Sequence, residues 1–244
     1  MKNGATFRVI HTHNQSATMN MAMDKALAMS FKKEDKPILR FYTWENSFTV
    51  GVSQNIQDYT QTYNSFKGNC AKRMTGGGVL FHGHDVSYSL VLPTHFLENL
   101  SVKESYEKIC SFLLFFYKSL NLEAMYAKDI KAINLSKSDF CQVGFEAYDI
   151  VIQGIKIGGN AQKRTKNMIF QHGSIPLYQT QRSKEFGNSL EDLDITLTYE
   201  EAIERLSEAF CQTFNAKLEE SSLNEKEEEY LKKLLKESND STNN

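Results

Sequence analysis

The chain has 244 residues and a formal net charge of −2; with 41% hydrophobic and 24% charged residues it has the profile of one sizeable globular unit, able to bury roughly 70% of its unfolded surface without a metal or disulfide staple. Its longest strongly apolar run, residues 112–117, is far too short to cross a bilayer, and its start lacks the apolar core and cleavage site of a secretory signal, so a cytoplasmic location is expected. The charge is uneven: residues 185–244 hold 16 acids and 6 bases, which leaves +8 on residues 1–184, and residues 150–184 carry six bases and no acid. That basic stretch suits an acidic partner, a phosphate or a nucleic acid, and equally a merely solvated face.

In chain order, residues 6–10 read as a strand and 18–33 as a helix, with Met23, Leu27 and Phe31 on one face. Pro37 precedes two β-rich runs, 38–44 and 48–51, and a polar, partly helical stretch follows to about Gly68. Residues 70–74 form a short strand broken by Gly76-Gly77-Gly78, and strands resume at 79–82 and 86–92 until Pro93. Ser101 and Glu104 make a capping box, behind which Val102, Tyr106, Ile109, Leu113, Phe116 and Leu120 recur at helical steps. Strands are expected at 147–153, 156–158 and 168–177, with Gln153-Gly154 as a tight turn. Thr198 opens a helix to about residue 214, and Ser222 opens an acidic one to about 236. The pattern is α+β, a mixed and largely antiparallel sheet with flanking helices. A catalytic unit over 1–220, an acidic C-terminal helix over 221–237 and a disordered tail over 238–244 are expected.

Three stretches could carry chemistry. In residues 72–82, three adjacent glycines let the backbone approach a ligand and aim N–H groups at it, with Arg73 and His82 flanking; the bland alternative is a flexible turn. The spacing matches neither a P-loop nor a Gly-x-Gly-x-x-Gly fingerprint. In residues 154–164, Lys156 lies between isoleucines on a strand, where it either faces water or needs a buried partner; in a cleft its ammonium could hold an oxyanion. In residues 139–149, Cys141 sits at a loop-to-strand junction and could be an acyl-accepting nucleophile or an inert half-buried thiol. Cys70, Cys110 and Cys211 read as packing residues, and with no Cys-x-x-Cys pair a zinc knuckle or a thioredoxin-type redox pair is not expected.

Taken together, Lys72-Arg-Met-Thr-Gly-Gly-Gly78 with His82, His84-Asp-Val-Ser-Tyr-Ser89, Lys156-Ile-Gly-Gly-Asn-Ala-Gln162 and Gln171-His-Gly-Ser174 resemble the biotin/lipoate protein ligase superfamily. The likeness is to its lipoate-protein ligase A and octanoyltransferase branch, and it runs in order from about Phe7 to Leu177. It implies a tunnel for a fatty-acyl chain, with Lys156 at the acyl carbonyl and Arg73, Gly76, Gly77, Gly78, His82, Gly159, Asn160, Ala161 and His172 lining the pocket. The position of Cys141 resembles that of the nucleophile of the cysteine-dependent octanoyltransferases. Those enzymes move an octanoyl group from acyl carrier protein to a lysine of lipoyl-domain proteins, such as the glycine cleavage H protein and 2-oxoacid dehydrogenase E2 subunits, without a cofactor. Gly78 stands where octanoyltransferases often have arginine and ligases usually glycine, which keeps an ATP- and Mg²⁺-dependent lipoate ligase open as the alternative. A non-catalytic acyl-binding homologue is the minor alternative; neither a nucleic acid nor a membrane is expected as a partner.

Overall fold

The computed structural model describes residues 4–136, 138–180 and 184–242. The chain runs β1 (Thr6–Gln15), α1 (Ala17–Ser30), β2 (Ile38–Trp44), β3 (Ser47–Val50), α2 (Thr60–Ser65), β4 (Cys70–Lys72), β5 (Leu80–His82) and β6 (Asp85–Pro93). It continues through α3 (Val102–Ser119), β7 (Ala124–Tyr126), β8 (Ile150–Ile152), β9 (Ile155–Lys156), β10 (Gly159–Arg164) and β11 (Met168–Pro176). α4 (Tyr199–Phe214), β12 (Lys217–Glu220) and α5 (Glu225–Thr242) complete it.

The main sheet has the order β10-β11-β6-β2-β1-β12. Its first three pairings are antiparallel, and β2–β1 and β1–β12 are parallel. The fold is therefore the mixed, largely antiparallel α+β arrangement read from the sequence. Two small sheets, β4-β3-β5 and β7-β8-β9, lie beside it.

The period-two pattern of the central strands explains where the cleft can form. Val86, Tyr88, Leu90 and Leu92 of β6 point into one large apolar core under α3 and α4, together with Leu39 and Phe41 of β2. Of the alternate residues of β6, Asp85, Ser87 and Ser89 are equally buried but polar and face the other side, where Val91 joins an apolar cluster with Leu27, Ala28 and Phe31. There the register sets two cross-strand rows, Arg40–Ser89–His172 and Tyr42–Ser87–Ser174. One face of the sheet is oily and structural; the other carries polar groups toward α1.

The capping boxes at Ser101–Glu104 and Thr198–Glu201 are formed as read. The last helix starts two residues later than expected, because Asn224 rather than Ser222 caps it: Asn224 Oδ1 accepts from the Glu227 amide at 3.0 Å and Glu227 Oε2 accepts from the Asn224 amide at 2.8 Å. It also does not stop near residue 236. The stretch expected to be disordered from 238 is helical to Thr242, consistent with the lack of any glycine or proline to end it. Tyr230, Leu231, Leu234 and Leu235 pack it on Ala22 and Ala26 of α1, on the side of α1 away from the sheet. β7, β10 and β12 have no counterpart in the sequence reading, and the strand expected from 147 starts at Ile150.

Candidate functional site

The polar face of the sheet, the glycine stretch after β4 and the segment between β7 and β8 border a cleft whose empty space, counted out into the solvent it opens to, is about 710 Å³. All eleven residues singled out from the sequence line it: Arg73, Gly76, Gly77, Gly78, His82, Cys141, Lys156, Gly159, Asn160, Ala161 and His172. Met21, Tyr42, Trp44 and Leu80 supply apolar surface.

Cys141 is half-buried and is delivered by backbone pairing. Its amide donates to Val79 O at 2.8 Å, and the Val79 amide donates to Asp139 O at 2.7 Å, so the segment docks on the chain just after the glycines. Gly78 makes this possible, since a Cβ there would overlap the Asp139 carbonyl. The glycine that left the ligase alternative open therefore has a local packing reason. The Cys141 thiol donates to Gly78 O at 3.2 Å, and Arg73 Nη2 lies 3.7 Å from Sγ. Gly77 has φ +99°, a conformation that favours glycine, and a Cβ on it would sit 3.1 Å from Sγ. None of the amides of Gly76, Gly77 and Gly78 donates to another described residue.

Lys156 is buried, and it found the partner its position demanded. Its Nζ pairs with Asp149 Oδ2 at 2.5 Å and donates to Cys141 O at 2.5 Å and Gly144 O at 3.3 Å. The three protons of the ammonium are thus spent on the Cys141 segment itself. Burial pushes the Asp149 carboxyl above its usual range, with Lys156 pulling the other way.

Two Asp–His–Thr chains pin the ends of the glycine stretch. In the first, Asp85 Oδ2 faces His82 Nδ1 at 3.0 Å, His82 Nε2 faces Thr49 Oγ1 at 2.9 Å, and Thr49 Oγ1 accepts from Arg73 Nη1 at 2.8 Å. Burial would raise Asp85, but His82 outweighs it and the carboxyl titrates at about 2; an acceptor-only carboxylate requires the Nδ1 proton of His82 to point at it. Trp44 stacks on His82 at 3.8 Å. In the second, Thr75 Oγ1 lies 2.7 Å from His172 Nε2, and His172 Nδ1 lies 3.5 Å from Asp24 Oδ2. Asp24 also accepts from Arg40 at 2.8 Å, Ser89 at 2.7 Å and Tyr42 at 3.0 Å. Burial alone would raise the Asp24 carboxyl, yet His172 and Arg40 hold it below the usual range. Burial lowers His172.

On the far rim Asn160 is held by Tyr88, whose hydroxyl donates to Oδ1 at 2.8 Å, and by the Tyr106 hydroxyl on its carbonyl. Of the basic stretch, Lys163 and Lys166 are exposed, whereas Lys156 is inside; Arg182 lies outside the described residues. Among the described residues no group of three potential metal-ligating side chains converges, and no helix is long and apolar enough to cross a membrane.

The family model of the lipoyl protein ligase A/B catalytic domain matches residues 16–211. The chain belongs to this family. It is 31% identical to the octanoyltransferase LipM of Bacillus cereus over 93% of either chain, and 29% identical to that of Bacillus subtilis over 94% of either chain. Its fold is similar to that of a crystal structure of lipoate-protein ligase A bound with ATP, with a TM-score of 0.76 at 21% identity, over 96% of this chain and 94% of that one. It is thus an enzyme of the lipoyl protein ligase A/B family, and its near-full-length relatives are octanoyltransferases.

Within this family framework, sequence reading missed Asp24, Thr49, Thr75, Asp85 and Asp149, the residues that hold the lining groups in place. A signal was present for Asp24: a carboxylate inside the apolar run Met19–Met29 cannot stay charged there without a partner.

Proposed function

We propose that this enzyme moves an octanoyl group from the thioester of acyl carrier protein to a lysine of a lipoyl-domain protein, through a thioester on Cys141. The observation that carries the reading is the placement of the Cys141 sulfur at the cleft, over bare Gly77 and beside Arg73. The sulfur, as thiolate, attacks the octanoyl carbonyl; the tetrahedral oxyanion collapses, and the carrier's thiol leaves with a proton. The acceptor's ε-amine then attacks the acyl-enzyme, forms the amide, loses one proton and returns the sulfur.

The free amides of Gly76–Gly78 are the candidate oxyanion donors, each worth about 3 kcal/mol when well aimed. Lys156 acts first as the anchor of the Cys141 segment. Met21, Tyr42, Trp44 and Leu80 offer the acyl tail apolar contact, at about 0.8 kcal/mol per buried methylene. Exposed Lys163 and Lys166, on and just after the strand that carries Asn160, suit an acidic carrier. A lipoyl domain of the H protein or of an E2 subunit is the acceptor in this reading. Thioester-to-amide transfer runs downhill, so no nucleotide is needed, and the committed protons of Lys156 fit that better than a grip on an adenylate phosphate.

The test omits ATP. Octanoyl carrier protein and an apo lipoyl domain are expected to give octanoylated domain, with a hydroxylamine-sensitive adduct on Cys141 when the acceptor is left out. Cys141→Ala is expected to lose at least about three orders of magnitude in rate. Full transfer by that variant, or transfer only when ATP and Mg²⁺ are added, would overturn the reading.

A further inference from the structure

Among the described residues three lysine or arginine side chains are buried: Arg40, Arg73 and Lys156. A buried cation is tolerated when an anion answers it. Arg40 has Asp24 at 2.8 Å, and Lys156 has Asp149 at 2.5 Å. Arg73 has no carboxylate within ion-pair distance among the described residues. Its hydrogen bonds go to neutral oxygens: Thr49 Oγ1 at 2.8 Å, Gly78 O at 2.6 Å and Gly76 O at 3.4 Å. The remaining neighbour of Nη2 is Cys141 Sγ, at 3.7 Å.

We infer that the thiolate of Cys141 is the counterion of Arg73, so that the guanidinium keeps the sulfur ionised, with the Asp85–His82–Thr49 chain positioning it. The inference rests on the function proposed above and names the group that activates its nucleophile. When the sulfur ionises, its proton passes to solvent through the open side of the cleft. The thiol's bond to Gly78 O is then lost, while Arg73 continues to hold that carbonyl, so the backbone around the sulfur is unchanged. The Thr49 hydroxyl, fixed between His82 and Arg73, keeps the guanidinium from turning away. The other charged or titratable groups facing the cleft are Tyr42, His82, His172, Glu146, Asp149 and Lys156. Asp149 is matched to Lys156, which leaves Glu146, and Asp139 two residues before the sulfur, as the charges that oppose the thiolate.

The test is the rate at which iodoacetamide alkylates Cys141, followed by peptide mass spectrometry and needing no carrier or acceptor. The other thiols serve as silent controls at neutral pH, since burial pushes Cys70 up to about 11, Cys110 up to about 12, and Cys211 up as well. At pH 7, Arg73→Gln is expected to slow alkylation about tenfold or more, with Arg73→Lys closer to wild type. At pH 10, where a thiol ionises unaided, the gap is expected to close. An Arg73→Gln rate within twofold of wild type at pH 7 would overturn the inference. So would a deficit that persists at pH 10, the mark of a residue that only holds the backbone. Should Arg73→Gln fail to fold, the wild-type profile still decides: a rate that climbs between pH 7 and 10 as steeply as that of a free cysteine overturns it. An acyl adduct with no Arg73 dependence would refute this inference alone; Arg73-dependent alkylation with no acyl adduct would refute only the proposed transfer.

Discussion

On the sheet side of the cleft, Arg40, Ser89 and His172 stand in one cross-strand row, and Asp24 reaches in from α1 to bind all three. Every member sits on a regular element whose register is fixed by an oily opposite face; a one-residue slip would turn that face outward. On the loop side, the described residues between Ala127 and Asp149 have little regular structure. They are held by the bridge between Val79 and Phe140, by the three bonds of Lys156 and by close packing on Gly78. The sheet side is a wall of regular, hydrogen-bonded elements, whereas the loop side is a locally fastened arm that carries the Cys141 sulfur. Precision on the first comes from many strands, and on the second from a single bridge, one glycine contact and the bonds of one buried lysine.

Removing the partner of Arg40 should have the largest effect on stability. Asp24→Ala leaves a fully buried guanidinium without its carboxylate and is expected to cost about 3–5 kcal/mol by urea denaturation. A loss under about 1 kcal/mol would mean that the sheet wall does not depend on this pair. On the loop wall, Lys156→Met should act on activity more than on stability. Octanoyl transfer is expected to fall about a hundredfold through misplacement of the sulfur, while limited proteolysis within residues 127–149 speeds up. Equal proteolysis of the variant and wild type would show that the arm is fastened by something else. The smallest effect is the pH response. His84 and His172 are lowered by burial, so the folded state binds fewer protons than the unfolded one. Their contribution is present above the unfolded value of about 6.5 and is lost as pH falls below it. Between pH 7 and 5 the melting temperature should drop by about 2–4 °C, and His172→Gln should flatten the drop. Asp85, at about 2, stays charged across that range and weakens the fold only as pH falls from about 4 toward 2. A melting temperature flat from pH 7 to 5 would remove the histidines from the balance.

The same contrast governs what could be read in advance. Elements with a period were legible: β2 has the bounds its β-rich run suggested, and α3 and α4 carry their capping boxes. Some lining residues stood out as local chemistry, namely Arg73, the Gly76–Gly78 run, His82, Cys141 and Lys156, whereas Gly159, Asn160, Ala161 and His172 were reached only through the family resemblance. Their supports were not legible, because Asp24 meets His172 only where α1 packs on the sheet, and Asp85 meets Ser174 only through the register of β6 and β11. β10 was hidden by Gly158-Gly159 at its start, and the arm has no period to detect. Gly78 carried two meanings in the sequence and one in three dimensions, where its bareness admits the Asp139 carbonyl.

Gly77 extends that point to the reaction. The place a Cβ would take lies 3.1 Å from the sulfur and 3.2 Å from Arg73 Nη2, and in the transfer proposed above that space is left to the thioester carbonyl the sulfur attacks. A single methyl at this position would crowd both the sulfur and the guanidinium, so on that proposal the leanest residue in the alphabet serves access to the sulfur as well as the backbone shape that φ +99° imposes.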